Sequence, residues 1–369
     1  MIQTKGISGL TFIITMWLLS RLVIVSVMQI IAPLCHFTPA VYDNLPPLGF
    51  LPGFVPKSSW ELFSHWDGAW YRKIAVWGYD YANDGQWHSV AFFPLFPLVT
   101  RAVTLFGLPV EVAGTLVNNF SLLGAMIVLY RWAEERYSMR VARWSSIVLA
   151  WCPFSLYGTV LYTEGLFLLL TTAALRAFDN YKHAQAALLV TMATATRPTG
   201  AALGAAFLLV SWIQRRRFGA YIAGIAASIP FVLFALYCTT HFDDSLAFVH
   251  VHRAWKQQNW QDIFANALAL DESSLIRVIM FFGGGYLLWY LRTQLPSVAV
   301  AYGFCSLTLL LISQQLDSLS RYTYSIVSLP LALSVFLARY PYWKYPTLLV
   351  FVMLLIRYAI NFAWWYWVA

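Results

Sequence analysis

SGLTFIITMWLLSRLVIVSVMQII, Ser8 to Ile31, decides the class of this protein. Its roughly 24 residues would reach roughly 36 Å as an α-helix, enough to cross a hydrocarbon core of about 30 Å with some tilt. A long polar loop follows and no small-residue cleavage site stands out, so the run reads as a retained span and not a cleaved signal peptide. Its one charge, Arg21, is expected to face protein or water, because a lone guanidinium in lipid is costly.

Working outward, apolar runs recur near 111–131, 142–158, 163–179, 184–197, 199–213, 218–240, 274–291, 297–313, 321–338 and 343–363, which makes eleven expected spans. The chain is 60% hydrophobic and only 11% charged, with a mean hydropathy of +0.63. These values exclude a soluble two-domain chain and point to an all-α polytopic membrane protein, a single transmembrane domain over residues 1–369.

Orientation follows from the basic loops, since Lys and Arg near span ends favour the cytoplasm. With the N-terminus and Lys5 cytoplasmic, Arg131 to Arg143, Arg176 to Lys182, Arg215 to Arg217, Arg292, and Arg339 to Lys344 all share that side. The segment Ala91 to Gly107 is apolar but short, and it carries Pro94, Pro97 and Arg101. As a full span it would extrude Arg131 to Arg143, so it is expected as a juxtamembrane or re-entrant helix on the outer side. Of the 16 acidic residues, all except Glu134, Glu135 and Asp179 then face outward.

Two outer loops are long enough to build a site, about 32–107 and about 241–273. The first is rich in Pro, Trp and Tyr, whose rings suit the headgroup level. The second gathers Asp243, Asp244, His250, His252, Arg253, Lys256 and Trp260, and reads as a lid or acceptor platform. Cys35, Cys152, Cys238 and Cys305 are scattered without CxxC spacing, so neither a zinc knuckle nor a disulfide framework is expected. His250 and His252 lack partner ligands at defined spacing, and no metal or other cofactor is assigned. The net charge of +8 is spread over many loops, which suits membrane lipids as partners and not nucleic acid.

Chemistry concentrates in Ser64-His65-Trp66-Asp67-Gly68-Ala69-Trp70-Tyr71, just beyond the first span. Sugar transfer from an activated donor needs a base for the incoming hydroxyl and cations for the leaving phosphate. Asp67 offers the first, with His65, Arg72 and Lys73 close by and Trp66, Trp70 and Tyr71 around it. The structural alternative is an interfacial helix that Asp67 caps.

Glu164, at the mouth of the run from 163, either orients a hydroxyl or a site cation, or is a carboxylate favoured by a helix N-terminus. Arg197, in Thr196-Arg197-Pro198-Thr199-Gly200, and Arg321, in Ser320-Arg321-Tyr322, return cations to the outer side. Each calls for a phosphate, a buried acidic partner, or a snorkelling path to the interface. His88 stands before Ala91-Phe92-Phe93-Pro94-Leu95-Phe96-Pro97, where the prolines set a rigid wall.

These motifs occur in an order that resembles a known family. Ser64-His65-Trp66-Asp67, Ile74-Ala75 with Gly78-Tyr79, Ala91-Phe92-Phe93-Pro94 with Pro97, Tyr162-Thr163-Glu164-Gly165-Leu166-Phe167 and Arg197-Pro198-Thr199-Gly200 resemble the PIG-V-like family, the second mannosyltransferase of GPI-anchor assembly. The likeness covers about the first 210 residues. It implies a GT-C glycosyltransferase, a helical membrane enzyme that takes a sugar, here mannose, from a polyprenyl-phosphate donor at the non-cytoplasmic face and inverts the anomeric centre.

The resemblance also implies that an Asp in the first outer loop is the base, which is Asp67 here. Around the donor phosphate and sugar the expectation is His65, Lys73, Arg197 and Arg321. Trp66, Tyr71, His88, Phe93 and Glu164 are expected to shape the cleft or the acceptor side.

Two departures bear on the acceptor. Where the eukaryotic family has an acidic residue and His-Asn before the Phe-Phe-Pro wall, this chain reads Gln86-Trp87-His88-Ser89-Val90. Its Arg-Ser-Asn-Gly is here Arg197-Pro198-Thr199-Gly200. The short loops suggest a prokaryotic relative in the plasma membrane, or the endoplasmic reticulum if eukaryotic, whose acceptor is a lipid-linked or other glycan and need not be a GPI lipid. Two further readings stand beside the enzyme: a transporter or flippase of lipid-linked sugars, and a noncatalytic subunit. An enzyme that requires an accessory subunit is also compatible with the sequence.

Overall fold

The computed structural model describes residues 8–35, 56–254, 259–313 and 316–368. Lys5, Lys256 and residues 36–55 of the first long loop lie outside them. Every regular element among the described residues is helical. The principal ones are α1 (Gly9–Leu34), α2 (Asp67–Trp77), α3 (Leu95–Thr104), α4 (Val110–Arg136), α5 (Met139–Trp151), α6 (Glu164–Asp179) and α7 (His183–Thr196). They continue as α8 (Pro198–Ile213), α9 (Phe218–Phe242), α10 (Trp260–Leu268), α11 (272–290), α12 (Ser297–Ser313), α13 (Leu316–Tyr324), α14 (Ser328–Arg339) and α15 (Pro341–Ala363).

All eleven apolar runs read from the sequence are helical, but the number able to cross a membrane by length and composition differs. Among the described residues four helices qualify, α1, α4, α9 and α15, and a fifth if α13 and α14, bent by 58°, form one broken span. Two of the others are cut short at prolines. Pro153 and Pro198 each begin a 3₁₀ turn, having no N–H to extend the preceding helix. The segment from Ala91 forms α3, ten residues or about 15 Å, too short to cross.

The long outer helices turn apolar residues away from the protein. On α1, Leu10, Ile14, Leu18 and Leu22 are 41–52% exposed, as expected of a face that meets lipid. Arg21, on the same helix, points inward. It donates to the Ser155 carbonyl at 2.9 Å and to the Ala150 carbonyl and Ser155 Oγ at 3.0 Å, so the sequence expectation of a protein-facing guanidinium is met.

Inside, α4 packs along α5 and α6, α6 along α7, and α8 between α9 and α12. Small residues let backbones meet where apolar attraction alone gives little in a membrane. A Cβ on Gly204 of α8 would sit 2.5 Å from the Ala227 Cβ of α9. The Phe178 and Phe207 rings stack at 4.1 Å between α6 and α8.

Helix α6 separates two polar ends. Glu164 begins it and Asp179 ends it, about 22 Å apart at 1.5 Å per residue. At the far end Asp179 accepts from Trp132 Nε1 at 2.8 Å and pairs with Arg136 at 2.7 Å, while Glu135 pairs with Arg176. Of the three acidic residues that the basic-loop orientation set apart, Glu135 and Asp179 are thus at the opposite end from Glu164.

Candidate active site

The chain approaches Asp67 through a 3₁₀ turn, Trp60–Ser64, and enters α2 at Asp67. Trp66 stands at φ +56°, a left-handed conformation that strains a bulky residue by about 1–3 kcal/mol. Its ring is held against Trp365 and Trp367, and the next residue is anchored too: the Asp67 N–H donates to Tyr162 Oη at 3.1 Å. Tyr162 Oη in turn donates to the His65 carbonyl at 3.3 Å.

The Asp67 carboxylate does not cap α2. It accepts from Arg321 Nη1, 2.7 Å from Oδ2. That guanidinium also lies beside Glu164, its Nε 3.4 Å from Oε1. The same Glu164 oxygen receives Arg197 Nη1 at 3.0 Å, and Arg197 Nη1 lies 3.3 Å from Ser325 Oγ. Two carboxylates and two guanidiniums therefore form one row, Asp67, Arg321, Glu164, Arg197, whose formal charge sums to zero. Isolated buried ions cost several kcal/mol each, and alternation of sign is what makes such a row tolerable.

Exposure distinguishes the members. The side chains of Arg321, Arg197 and Glu164 are 4%, 6% and 1% exposed, and Asp67 is 21% exposed. Asp67 is thus the more open of the two carboxylates. Glu164 Oε2, buried without a hydrogen-bond partner, stays behind the arginines. Aromatic faces complete the cation environment: Arg321 lies 5.2 Å from the Tyr162 and Tyr322 ring centres, and Arg197 lies 4.6 Å from Tyr322. Sequence reasoning assigned no role to Tyr162, Tyr322 or Ser325.

The segment 152–163, which leads into Glu164, is held by two asparagines of α4. Asn118 Nδ2 donates to the Tyr157 and Val160 carbonyls at 2.7 and 2.6 Å, and its Oδ1 accepts from Gly165 N at 2.7 Å. Asn119 Nδ2 donates to the Thr159 carbonyl at 2.8 Å. Gly165 packs directly on α4, since a Cβ there would collide with the Asn118 backbone oxygen. The signal for Asn118 and Asn119 was available in the sequence, two adjacent amides inside an apolar run.

The other candidates fall in four places. His65 turns away from the row: Nδ1 meets the Phe362 carbonyl at 3.0 Å and the ring stacks on Trp365 at 4.0 Å. Burial outweighs the Phe362 contact and pushes its pKa down to about 4, so it is uncharged near neutrality. Tyr71 lies beside the row, edge-on to Tyr162 and Phe96. Phe93 packs with Phe234, Phe231 and Phe248 under the second long loop.

Lys73 and His88 belong to a separate cluster around Asp80. Lys73 Nζ lies 3.0 Å from Asp80 Oδ2, and His88 bridges Asp80 at 3.1 Å and Asp84 at 2.9 Å. Burial works against the charge on Asp80, yet bonds from Ser89, His88 and Lys73 prevail and hold its pKa at about 2. Tyr81 Oη donates to Asp244, which also meets His250 at 2.8 Å, and Trp87 Nε1 donates to the Ala254 carbonyl. The two long loops are therefore tied together by the Tyr81–Asp244 and Trp87–Ala254 bonds. Among the described residues no group of three or more His, Cys, Asp or Glu side chains has metal-binding geometry.

The profile of the family described as Mannosyltransferase (PIG-V) matches residues 7–240, which hold Asp67, Glu164 and Arg197. The chain belongs to this family. Within it, GPI alpha-1,6-mannosyltransferase 2 of Rattus norvegicus is 26% identical, over 60% of this chain and 49% of that protein. The chain thus spans about half the length of that relative. Among solved structures, ArnT from Cupriavidus metallidurans in the apo state superposes with a TM-score of 0.56 at 14% identity, covering 91% of this chain and 61% of that one. ArnT bound to undecaprenyl phosphate superposes at 0.52 and 14% identity, covering 88% and 59%. At such identity the likeness is one of fold, and this PIG-V family member shares the helical membrane fold of ArnT.

Proposed function

We propose that this chain is an inverting mannosyltransferase that moves mannose from a polyprenyl-phosphate donor to a hydroxyl of a lipid-linked or other glycan acceptor, with its site on the non-cytoplasmic side. The observation that carries the proposal is the row of four charges in which the most exposed member is a carboxylate and the next is a guanidinium. Family membership, the printed activity of the rat relative and the polyprenyl phosphate held by a protein of the same fold support it.

In this reading the acceptor O–H gives its proton to Asp67 while its oxygen bonds to the anomeric carbon. The bond from that carbon to the phosphate oxygen breaks, and the electron pair leaves on the phosphate, which goes from one negative charge to two. Arg321 and Arg197 are the cations in reach of that growing charge. As Asp67 becomes neutral its hold on Arg321 weakens, and the guanidinium is freed for the phosphate at the moment the phosphate needs it. The total charge of the site is unchanged through the step. One displacement at the carbon inverts its configuration.

The test is transfer by the purified chain from polyprenyl-phosphate mannose to a panel of lipid-linked and free glycans, with lipids extracted from the protein analysed in parallel. A mannosylated product supports the proposal. Movement of lipid-linked sugar across liposomes without any glycosidic product would overturn it in favour of transport.

A further inference from the structure

At the far end of the protein from Asp67, α1 and α5 enclose a cleft of about 380 Å³ that the proposed transfer does not use. Its walls are Phe12 and Ile147 with Met139 and Trp144, and its polar members are two arginines, Arg140 and Arg143. Arg143 lies over the Phe12 ring at 5.4 Å, and Lys344, from α15, lies over Trp144 at 5.8 Å. Three cations thus converge on the first turns of α5, whose N-terminus adds the positive end of its dipole.

The depth of the cleft is set by its neighbours. Tyr342, Trp343 and Tyr345 at the start of α15 are 59–89% exposed, the placement of aromatic rings at a headgroup boundary. Two turns deeper on the Phe12 side of α1, Leu19 is 45% exposed and offers an apolar track away from the arginines. Cations at headgroup level above an apolar track match a ligand with one anionic phosphate and an acyl chain. A free phosphate would find the cations but leave the apolar walls unmatched.

We infer that this cleft is a binding site for an anionic glycerophospholipid, its phosphate between Arg140 and Arg143 and a chain along α1. A membrane-surface Lys or Arg strengthens anionic lipid binding by about fivefold, so the two arginines together are expected to favour the anionic lipid by roughly 25-fold.

Native mass spectrometry of the detergent-purified full chain with added palmitoyl-oleoyl phosphatidylglycerol or phosphatidylcholine tests this. Preferential retention of phosphatidylglycerol, lost in Arg140→Gln/Arg143→Gln and kept in Arg215→Gln/Arg217→Gln, supports the site. Should the double variant fail to fold, Arg140→Gln alone, at an exposed side chain, is expected to lose about fivefold. Equal retention of the two lipids, an unchanged preference in the cleft variants, or an equal loss in the Arg215/Arg217 variant overturns it. Displacement of the lipid by soluble glycerol phosphate at similar concentration also overturns it, because the apolar track would then contribute nothing.

Discussion

Arg321 Nη1 lies 2.7 Å from Asp67 Oδ2, joining residues 254 apart in the chain. A carboxylate so paired is held in one orientation, with Oδ2 turned to the guanidinium. A donor phosphate that draws on Arg321 relieves that restraint. In the proposed transfer the pairing therefore links arrival of the phosphate to the freedom of the Asp67 carboxylate.

Asp67→Asn keeps the size of the side chain and can still meet Arg321 through its amide oxygen. It is expected to lower the turnover number by about 10²–10⁴ through loss of the base, with donor binding retained. Single-turnover transfer from polyprenyl-phosphate mannose, alongside donor binding, checks both halves. Turnover near that of the parent removes Asp67 from the chemistry.

Glu164→Ala removes the carboxylate shared by two guanidiniums that are 6% and 4% exposed. Breaking a buried pair in this way costs about 3–5 kcal/mol, so the thermal midpoint should fall well below that of Asp67→Asn, whose site is more open. Equal midpoints for the two variants would mean that Glu164 is not the principal counterion.

Gly165→Ala places a methyl group against the Asn118 backbone. Overpacking of this kind costs about 1–3 kcal/mol, and relief comes only by moving the first turn of α6, which carries Glu164. We expect transfer to fall more than stability, and Asn118→Ala to release the same turn. A Gly165→Ala variant with parental kinetics would show that α6 accommodates the methyl group without shifting Glu164.

The Asp80 cluster carries a pH signature. Burial opposes a charged His88, but Asp84 and Asp80 outweigh it and raise its pKa above 6.5. Its contribution to stability is then complete below pH 6.5 and is lost as pH rises through the raised value. Asp80, held down at about 2 from 3.8, contributes above pH 3.8 and loses that contribution as pH falls through about 2. Thermal unfolding of the parent should weaken above pH 6.5 with a component absent from His88→Gln. Parallel pH curves for the two proteins would exclude this titration.

The candidate site was legible in part. Asp67, Glu164, Arg197 and Arg321 each drew notice as scarce charges in an apolar chain, and each had a local alternative: a cap, a dipole partner, or a snorkelling arginine. Those alternatives are statements about one helix end, and no local pattern ranks them. His65 shows the converse. Two residues from Asp67, it looked like part of the same site, but the unusual backbone of Trp66 separates the two side chains, and His65 packs on Phe362 and Trp365 instead.

Sequence alone determined that this is a helical membrane protein, where its helices lie, and which ionisable residues needed partners, because hydropathy, helix breaking and scarcity of charge are properties of short stretches. Tertiary structure decided who those partners are. It brought α2, α6, the turn before α8, and α13 to one point, so that Arg321 answers Asp67 and Arg197 answers Glu164. The physical reason is that an ion pair is specified by distance in space, which the packing of whole helices on Asn118, Gly165 and Gly204 sets and no sequence spacing encodes.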